Sequence, residues 1–201
     1  SDESRGLGDV YKRQKQNRWV DSIYNNLDLE EKIGQLITVW VATKYGEDEI
    51  KHISKLIEDY KLGGLIFSLG DIKSQAKAIN KFQKQSKVPL LISMDAEWGI
   101  GMRLDDAFSF PYNMTLGAIE NDSLIYQVGK RIGFHAKRLG VQINFAPVVD
   151  INTNPANPII GFRSFGEDKY NVSNKALNYL KGMHYHGCLL YTSPSPRDSS
   201  E

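Results

Sequence analysis

The sequence predicts an α/β fold of the (β/α)8 TIM-type barrel class, in which outer helices cover parallel strands. Short, continuously apolar runs alternate with segments whose apolar residues recur every three or four positions. Strands without polar alternation are buried on both faces, as in a parallel sheet covered by helices. Long polar segments follow the strands, whereas the helix-to-strand segments, such as KLGG and SKVP, are short. This loop pattern is typical of a barrel, whose active site lies at the C-terminal ends of its strands.

An open doubly wound sheet is the alternative architecture, because it also combines parallel strands with helices. Its nucleotide-binding versions carry a glycine-rich turn of the G-x-G-x-x-G kind after a strand. No predicted strand of this sequence is followed by such a turn. The barrel is therefore the favoured architecture.

Two helices are predicted at the start of the chain. Trp19, Ile23 and Leu27 recur at helical spacing in the first. The second helix has Asp28 as its N-cap and Glu31 three residues later, the spacing of a capping box. The apolar run QLITVWVA that follows indicates a buried strand.

Helices and strands alternate along the rest of the chain. Apolar residues at helical spacing, including Ile50, Ile53 and Ile57, predict one amphipathic helix, and glycines bracket the short strand GGLIFSLG. The remaining predicted elements are a helix at 71–86, a strand at 89–94, a helix at 121–139, the strand VQINFAPVV and a helix at 168–186. The pattern thus contains four strands.

Composition excludes several classes of partner. The chain has 201 residues, 41% hydrophobic and 24% charged, with a net charge of +1. Because no basic stripe stands out, we expect neither nucleic acid nor an anionic membrane as a partner. No apolar run reaches the roughly 18 residues of a membrane-spanning helix. Localisation and oligomeric state are left open by these features.

The two ends of the chain share one unusual property. The DNA sequence GATGTGTATAAGAGACA encodes Asp9 to Arg13 and begins the next codon, and its reverse complement encodes Cys188 to Thr192. Unrelated natural peptides rarely match opposite strands of one DNA stretch. Both ends therefore resemble translated sequencing adapter.

These flanks set the expected domain organisation. Residues 1–14 and 188–201 are expected to be non-native flanks. Translated adapter segments are not part of the native fold. The native part is then a single partial domain over residues 15–187. The only cysteine falls in the second flank, so the redox compartment cannot be argued from it.

Charged residues crowd the segment SMDAEWGIGMRL after the apolar strand at 89–94. Asp95 lies where that strand ends, and Glu97 and Arg103 lie in the following loop. At the mouth of a barrel, such residues can direct hydrogen-bonding groups at a hydroxyl-rich ligand. The alternative is purely structural: an acid caps a helix, and Arg103 neutralises Asp105 or Asp106 at the surface.

A second polar loop makes the pattern specific. The segment NFAPVVDINTNPANPIIGFRSFGED carries Asp150 and Arg163 after an apolar strand. Together with MDAEWGIGMRL, FPYNMTLGAI and LEEKIGQL, it resembles the N-terminal barrel domain of glycoside hydrolase family 3, within its β-N-acetylglucosaminidase-like branch. The resemblance covers essentially all of residues 15–187, and the motifs occur in family order. It implies retaining hydrolysis of a terminal β-linked sugar.

The resemblance also implies a role for each matching residue. Asp95 would accept hydrogen bonds from sugar hydroxyls, Arg163 would donate to the same ring, and Arg103 would support the pocket. Asp150 would order the rim from behind the residues that touch the sugar. Trp98 stands where better-known members have glycine, so it either stacks on substrate or packs beneath the loop.

No catalytic residue is expected in this chain. The family's Lys-His stretch should follow the helix at 168–186, and the nucleophilic aspartate comes later still. Pairing Asp95 with Glu97 or Asp150 as nucleophile and acid has no support, because nothing in the sequence sets their separation. The chain is thus interpreted as the N-terminal half of the barrel, an inactive fragment of a glycosidase with a carbohydrate substrate.

Several alternatives remain open at this stage. The parent could be a β-glucosidase of the same family, a non-catalytic carbohydrate-binding barrel, or another barrel enzyme such as an aldolase. An aldolase would need a Schiff-base lysine at a strand end, and no predicted strand offers one. No cofactor is implied. No metal site is expected either, because His184 and His186 lack a third ligand at matching spacing.

Overall fold

Five parallel strands form the sheet of the protein, in sequential order from β1 to β5. The structure is a computed structural model that describes residues 2–190. The strands are β1 (Thr38–Val41), β2 (Gly64–Phe67), β3 (Leu91–Met94), β4 (Ile143–Asn144) and β5 (Leu189–Leu190). Sequential order in a parallel sheet is the arrangement of barrel strands. The predicted α/β class is therefore confirmed.

Seven α-helices accompany the strands over the described range. They are α1 (Asp2–Asn25), α2 (Leu29–Gly34), α3 (Glu47–Tyr60), α4 (Ile72–Gln85), α5 (Asn113–Gly117), α6 (Asp122–Leu139) and α7 (Lys169–His184). Short 3-10 turns occupy Thr43–Tyr45, Ile100–Met102 and Gly161–Arg163. Over residues 2–190, no helix is both long and apolar enough to cross a lipid bilayer.

Side-chain caps fix where several helices begin. Asp28 accepts from the Glu31 amide at 2.8 Å, and the Glu31 carboxylate accepts from the Asp28 amide at 3.2 Å. This pair is the predicted capping box, which satisfies amides that lack helical partners. Asp71 caps α4 and Asp168 caps α7 in the same way, each by accepting from a backbone amide.

The core lies between the sheet and its helices. Val41, Leu65 and Ile92, on three neighbouring strands, are completely buried. Ile53 and Ile57 of α3 pack into the same cluster, as the helical spacing predicted. Burial of these faces holds the strand ends at one edge of the sheet, where the long loops begin.

The strand pattern differs from the prediction in two ways. The predicted strand VQINFAPVV pairs only over Ile143–Asn144, because Pro147 has no amide hydrogen to extend the ladder. A fifth strand, β5, also pairs with β4, so the sheet has five strands rather than four. The residues of β5 fall in the segment expected to be a flank, and α1 likewise begins in the N-terminal flank.

Helices α6 and α7 pack unusually closely because glycines line their contact. A β-carbon at Gly129 would lie 2.2 Å from the Tyr179 carbonyl oxygen, and one at Gly182 would lie 2.2 Å from the Tyr126 carbonyl oxygen. Only residues without a side chain fit at these separations. The buried Lys175 ammonium, which donates to the Asp122 carboxylate, ties the same helices together.

We expect Gly129→Ala to destabilise the protein by about 1–3 kcal/mol, because the new methyl group forces α6 and α7 apart. The loss should appear although alanine is intrinsically the better helix former. Urea denaturation followed by circular dichroism measures it. Lys137→Ala, an exposed change in the same helix, is the control; equal stability of the two variants would contradict the close packing.

Candidate functional site

Arg103 holds Asp95 at the C-terminal end of β3. The Arg103 Nε donates to the Asp95 carbonyl oxygen at 2.6 Å, and its Nη2 donates to Asp95 Oδ2 at 2.5 Å. The guanidinium thus fixes both the backbone and the carboxylate of Asp95. About a third of the Asp95 side chain stays exposed, at 34%. A carboxylate has about four acceptor positions, so Asp95 retains capacity to accept hydrogen bonds from a ligand.

A second ion pair joins two different rim loops. The Arg163 Nε lies 3.0 and 3.2 Å from the two Glu97 carboxylate oxygens, and its Nη2 lies 2.9 Å from Oε1. The Glu97 side chain is only 2% exposed, whereas that of Arg163 is 27% exposed. Such bidentate pairs add geometric specificity to the attraction between the charges. The pair therefore holds the loop after β4 against the loop after β3.

The backbone of Glu97 is held as firmly as its carboxylate. Its amide donates to Met102 Sδ at 3.3 Å, and its carbonyl oxygen accepts from the Tyr179 hydroxyl at 3.1 Å. Tyr179 is completely buried on α7. Glu97 is thus fixed from the core side as well as from the rim.

Burial raises the pKa of Glu97, since the charged form loses its hydration. The hydrogen bonds and charge of Arg163 oppose this effect and lower the pKa, but burial is the larger influence. The charges of Asp95 and Arg103 also act on the Glu97 pKa, in opposite directions. The two ion pairs therefore form one electrostatic cluster.

Backbone contacts of the second rim loop position Arg163. The Asn113 side chain donates to the Arg163 carbonyl oxygen at 2.8 Å. The hydroxyl of Ser164 donates to the Asp150 carbonyl oxygen at 2.6 Å and accepts from the Gly166 amide at 3.1 Å. These bonds close the loop on itself and hold Asp150 next to Gly166.

Three aromatic rings meet beside the ion pairs: Trp98, Tyr112 and Phe162. The Trp98 and Tyr112 rings make an edge contact with centroids 4.8 Å apart. The Phe162 ring lies 4.4 Å from Tyr112 and 6.1 Å from Trp98. Tyr112 and Phe162 are about half exposed. Trp98 therefore packs within an aromatic surface rather than beneath its loop alone.

The structural alternative for the charged loop does not hold. Arg103 pairs with Asp95, and Asp106 instead accepts from the Ile72 amide at 2.9 Å. The caps of the helices come from other residues, so neither Asp95 nor Glu97 serves as one. The carboxylates at the rim are thus held by arginines.

Sequence reasoning missed the partner of Arg163. The sequence presents Glu97 as a polar group of the rim loop, a helix cap or a catalytic carboxylate, without a partner, and does not single out Asn113. The available signal was chemical: an acid in a well-buried loop requires a cation, and Arg163 is the arginine of the other rim loop. The shared sugar contact of Asp95 and Arg163 stays a prediction.

The chemistry of this arrangement favours an uncharged, hydroxyl-rich ligand. The two acids and two arginines balance in charge and already pair with one another. Asp95 and the two arginines, whose side chains are partly exposed, offer an acceptor and donors at the strand ends, near apolar ring faces. A sugar combines hydroxyl edges with apolar C–H faces and matches these features.

Arg163→Met should destabilise the protein by about 3 kcal/mol at about pH 7.5, because it leaves the Glu97 carboxylate buried without its cation. The loss should be smaller near about pH 4. Below the ordinary pKa of 4.5 Glu97 is protonated in both folded and unfolded chains. As pH rises, the unfolded chain ionises first, and without Arg163 the pKa of folded Glu97 lies higher still, so the stability of the variant falls further than that of the original protein.

Urea denaturation at both pH values checks this prediction. Arg103→Met, in the more exposed pair, is the matched control and should cost no more than about 1 kcal/mol. An Arg163→Met loss that is the same at both pH values would contradict a buried, ion-paired Glu97.

Comparison with known proteins shows the family to which the chain belongs. The sequence model of the Glycosyl hydrolase family 3 N terminal domain matches residues 28–192. Beta-hexosaminidase A of Pseudoalteromonas piscicida is 35% identical over 150 residues, 68% of this chain and 25% of that protein. A beta-N-acetylglucosaminidase/beta-glucosidase of Cellulomonas fimi is 28% identical over 90% of this chain and 31% of its own length.

Solved structures of similar fold include related carbohydrate-processing enzymes. A beta-glucoside phosphorylase, BglX, bound to 2FGlc superposes with a TM-score of 0.83 at 26% identity, over 90% of this chain and 32% of that one. A family 3 beta-N-acetylglucosaminidase from Paenibacillus sp. str. FPU-7 gives a TM-score of 0.75 at 33% identity, over 85% and 33%.

The chain spans about a quarter to under a half of the first curated relatives that it matches. The resemblance read from the rim motifs is confirmed by the family match. Both lines of evidence show that the chain belongs to glycosyl hydrolase family 3, as part of its N-terminal domain.

Proposed function

We propose that this chain is part of the substrate-binding barrel of a retaining glycoside hydrolase that removes terminal β-linked N-acetylglucosamine from oligosaccharides or cell-wall glycans. The single observation that carries the proposal is the pairing of Asp95 with Arg103 beside Glu97 and Arg163 at the strand ends. Family membership and the names of relatives, several of them beta-hexosaminidases, support it.

The contacts of the residues support a role for each in this proposal. The exposed part of the Asp95 carboxylate accepts hydrogen bonds from hydroxyls of the terminal sugar, while Arg103 keeps it oriented. Arg163 donates to the same ring, and Glu97 holds that guanidinium in place. Preorganised groups of this kind reduce the entropy lost when the sugar binds.

The covalent chemistry belongs to other parts of the enzyme. In a retaining mechanism, one carboxylate forms a glycosyl-enzyme intermediate and a second group transfers the proton. We assign neither role within residues 15–187, so the chain alone should bind sugar without cleaving it. In the same proposal, residues 1–14 and 188–201 are flanks that do not derive from the enzyme.

A β-glucoside-processing enzyme is the second candidate. Two comparisons favour it: the beta-glucoside phosphorylase superposes with a TM-score of 0.83, and the Cellulomonas fimi relative is named for both activities. Phosphorolysis would transfer the sugar to phosphate rather than to water. The sugar that is processed separates the two candidates, and dependence on phosphate separates phosphorolysis from hydrolysis.

The longer enzyme that contains this barrel half should release nitrophenol from nitrophenyl N-acetyl-β-glucosaminide without added phosphate. Asp95→Ala should lower kcat/KM about 100-fold, because hydrogen bonds to a charged group are lost. Asp105→Asn, an exposed change in the same loop, is the control and should leave kcat/KM unchanged.

Other outcomes identify the other candidates. Turnover of nitrophenyl β-glucoside but not of the N-acetyl-β-glucosaminide would indicate the second candidate, as a phosphorylase if phosphate is required and as a β-glucosidase if it is not. No turnover of either substrate, with sugar binding retained, would indicate a non-catalytic carbohydrate-binding barrel. Cleavage of either substrate by the 201-residue chain alone would contradict the assignment of the covalent chemistry to other parts of the enzyme.

A further inference from the structure

The helix pair α6 and α7 carries an excess of positive charge. Residues 123–149 and 169–190 contain no aspartate or glutamate. The lysines and arginines of these two ranges are Lys130, Arg131, Lys137, Arg138, Lys169, Lys175 and Lys181. Only the buried Lys175 is paired with a carboxylate among the described side chains, that of Asp122. A local excess of one sign attracts ions of the other sign, even though the net charge of the chain is only +1.

Part of this basic surface is concave. A cavity of about 310 Å³ lies between α6 and the segment that follows α7, and its lining residues are Gln127, Lys130, Arg131, Phe134 and His186. The lining therefore contains an ammonium, a guanidinium, an imidazole and an amide, but no carboxylate among the described residues. Groups of these types donate hydrogen bonds. The cavity thus has the chemistry of an anion site.

Ring contacts hold the two cations of this cavity. The Lys130 Nζ lies 3.8 Å from the centre of the Tyr185 ring, and the Arg131 Cζ lies 5.8 Å from the centre of the Phe134 ring. The His186 ring connects the two aromatic residues, with centroids 5.6 Å from Phe134 and 5.0 Å from Tyr185. Cation–π contacts orient a cation without adding a negative charge. The cavity therefore presents oriented positive charge to a ligand.

The close packing of the two helices keeps the cavity in shape. A β-carbon at Gly182 would lie 2.6 Å from the Lys130 amide nitrogen, and one at Gly133 would lie 2.9 Å from the Met183 carbonyl oxygen. The helix backbones therefore meet directly beside the cavity. Sites supported by packed helices hold their side chains more accurately than sites on loops.

The cavity lies away from the rim residues Asp95 and Arg163. Leu139, the last residue of α6, is only four positions before Ile143, the first residue of β4. The C-terminal half of α6 therefore lies toward the N-terminal ends of the strands. Asp95 and Arg163 instead belong to segments that follow strand C-termini. A ligand in the cavity would thus be held without these two residues.

We propose that the cavity binds the phosphate group of a small soluble ligand, with Lys130, Arg131 and His186 on the phosphate oxygens. A doubly charged anion matches two cations that have no carboxylate partner, and guanidinium geometry suits phosphate. Small-molecule sites have volumes of about 300–1,000 Å³, so this cavity holds more than an inorganic ion. The Phe134 ring, 36% exposed, would pack against the rest of the ligand. This inference is independent of the proposed function.

Isothermal titration calorimetry of the 201-residue chain with glucose 6-phosphate tests the inference. Glucose 6-phosphate should bind, and glucose should not. Lys130→Met and Arg131→Met should each weaken binding about tenfold, as expected when a hydrogen bond to a charged group is lost. Lys137→Met is the matched control, because it removes the same charge from an exposed position of α6 outside the cavity. It should leave the affinity unchanged.

Other ligands identify the source of the phosphate. Inorganic phosphate should bind more weakly than glucose 6-phosphate, and Phe134→Ala should remove this difference because the ring no longer contacts the sugar. Vesicles that contain phosphatidic acid should bind the chain no better than vesicles of phosphatidylcholine. The far-UV circular dichroism spectrum of each variant should match that of the original chain, so that a lost affinity reports on the cavity.

Four results would overturn the inference: no binding of glucose 6-phosphate, equal binding of glucose, equal weakening by Lys137→Met and Lys130→Met, or binding to the acidic vesicles alone. The last result would indicate a lipid surface as the partner. None of these measurements depends on glycosidase activity, so they leave the proposed function untouched.

Discussion

The ion pair between Glu97 and Arg163 is the contact on which the site depends. The two residues lie 66 positions apart and belong to loops after different strands, so their pairing brings separate parts of the rim together. Because Glu97 is buried, its charge is tolerated only with the guanidinium in place. Arg163 in turn orients its neighbours, since Phe162 precedes it and Asn113 binds its carbonyl oxygen. The geometry of the rim therefore depends on the ion pair of the buried Glu97 carboxylate.

The two arginines at the rim have different structural roles. Arg103 pairs with an aspartate eight residues earlier, so it organises a single loop and leaves the carboxylate partly open to solvent. Arg163 connects two loops through an almost fully buried glutamate. One pair thus presents an acceptor to a ligand, while the other maintains the frame. This division explains how a small site can be rigid and still offer polar groups.

Local patterns predicted the local structure well. The apolar spacing of α3 and the Asp28 capping box depend on residues three or four apart, and both were visible in the sequence. Asp95 could be placed at a strand end for the same reason. The partner of Glu97 could not be predicted, because no periodic pattern in the sequence indicates a contact across 66 residues. Likewise, β5 gains its place only by pairing with a strand that is distant in sequence.

Asn144 illustrates how the sheet continues beyond its own backbone ladder. At the end of β4, its buried side-chain amide accepts from the Ala96 amide at 2.9 Å and donates to the Ala96 carbonyl oxygen at 3.1 Å. A side chain thus imitates a peptide group, one residue after Asp95 and one before Glu97. Aspartate could not donate and leucine could do neither. Exchange of this interior amide would consequently shift Asp95 and Glu97 without altering either carboxylate.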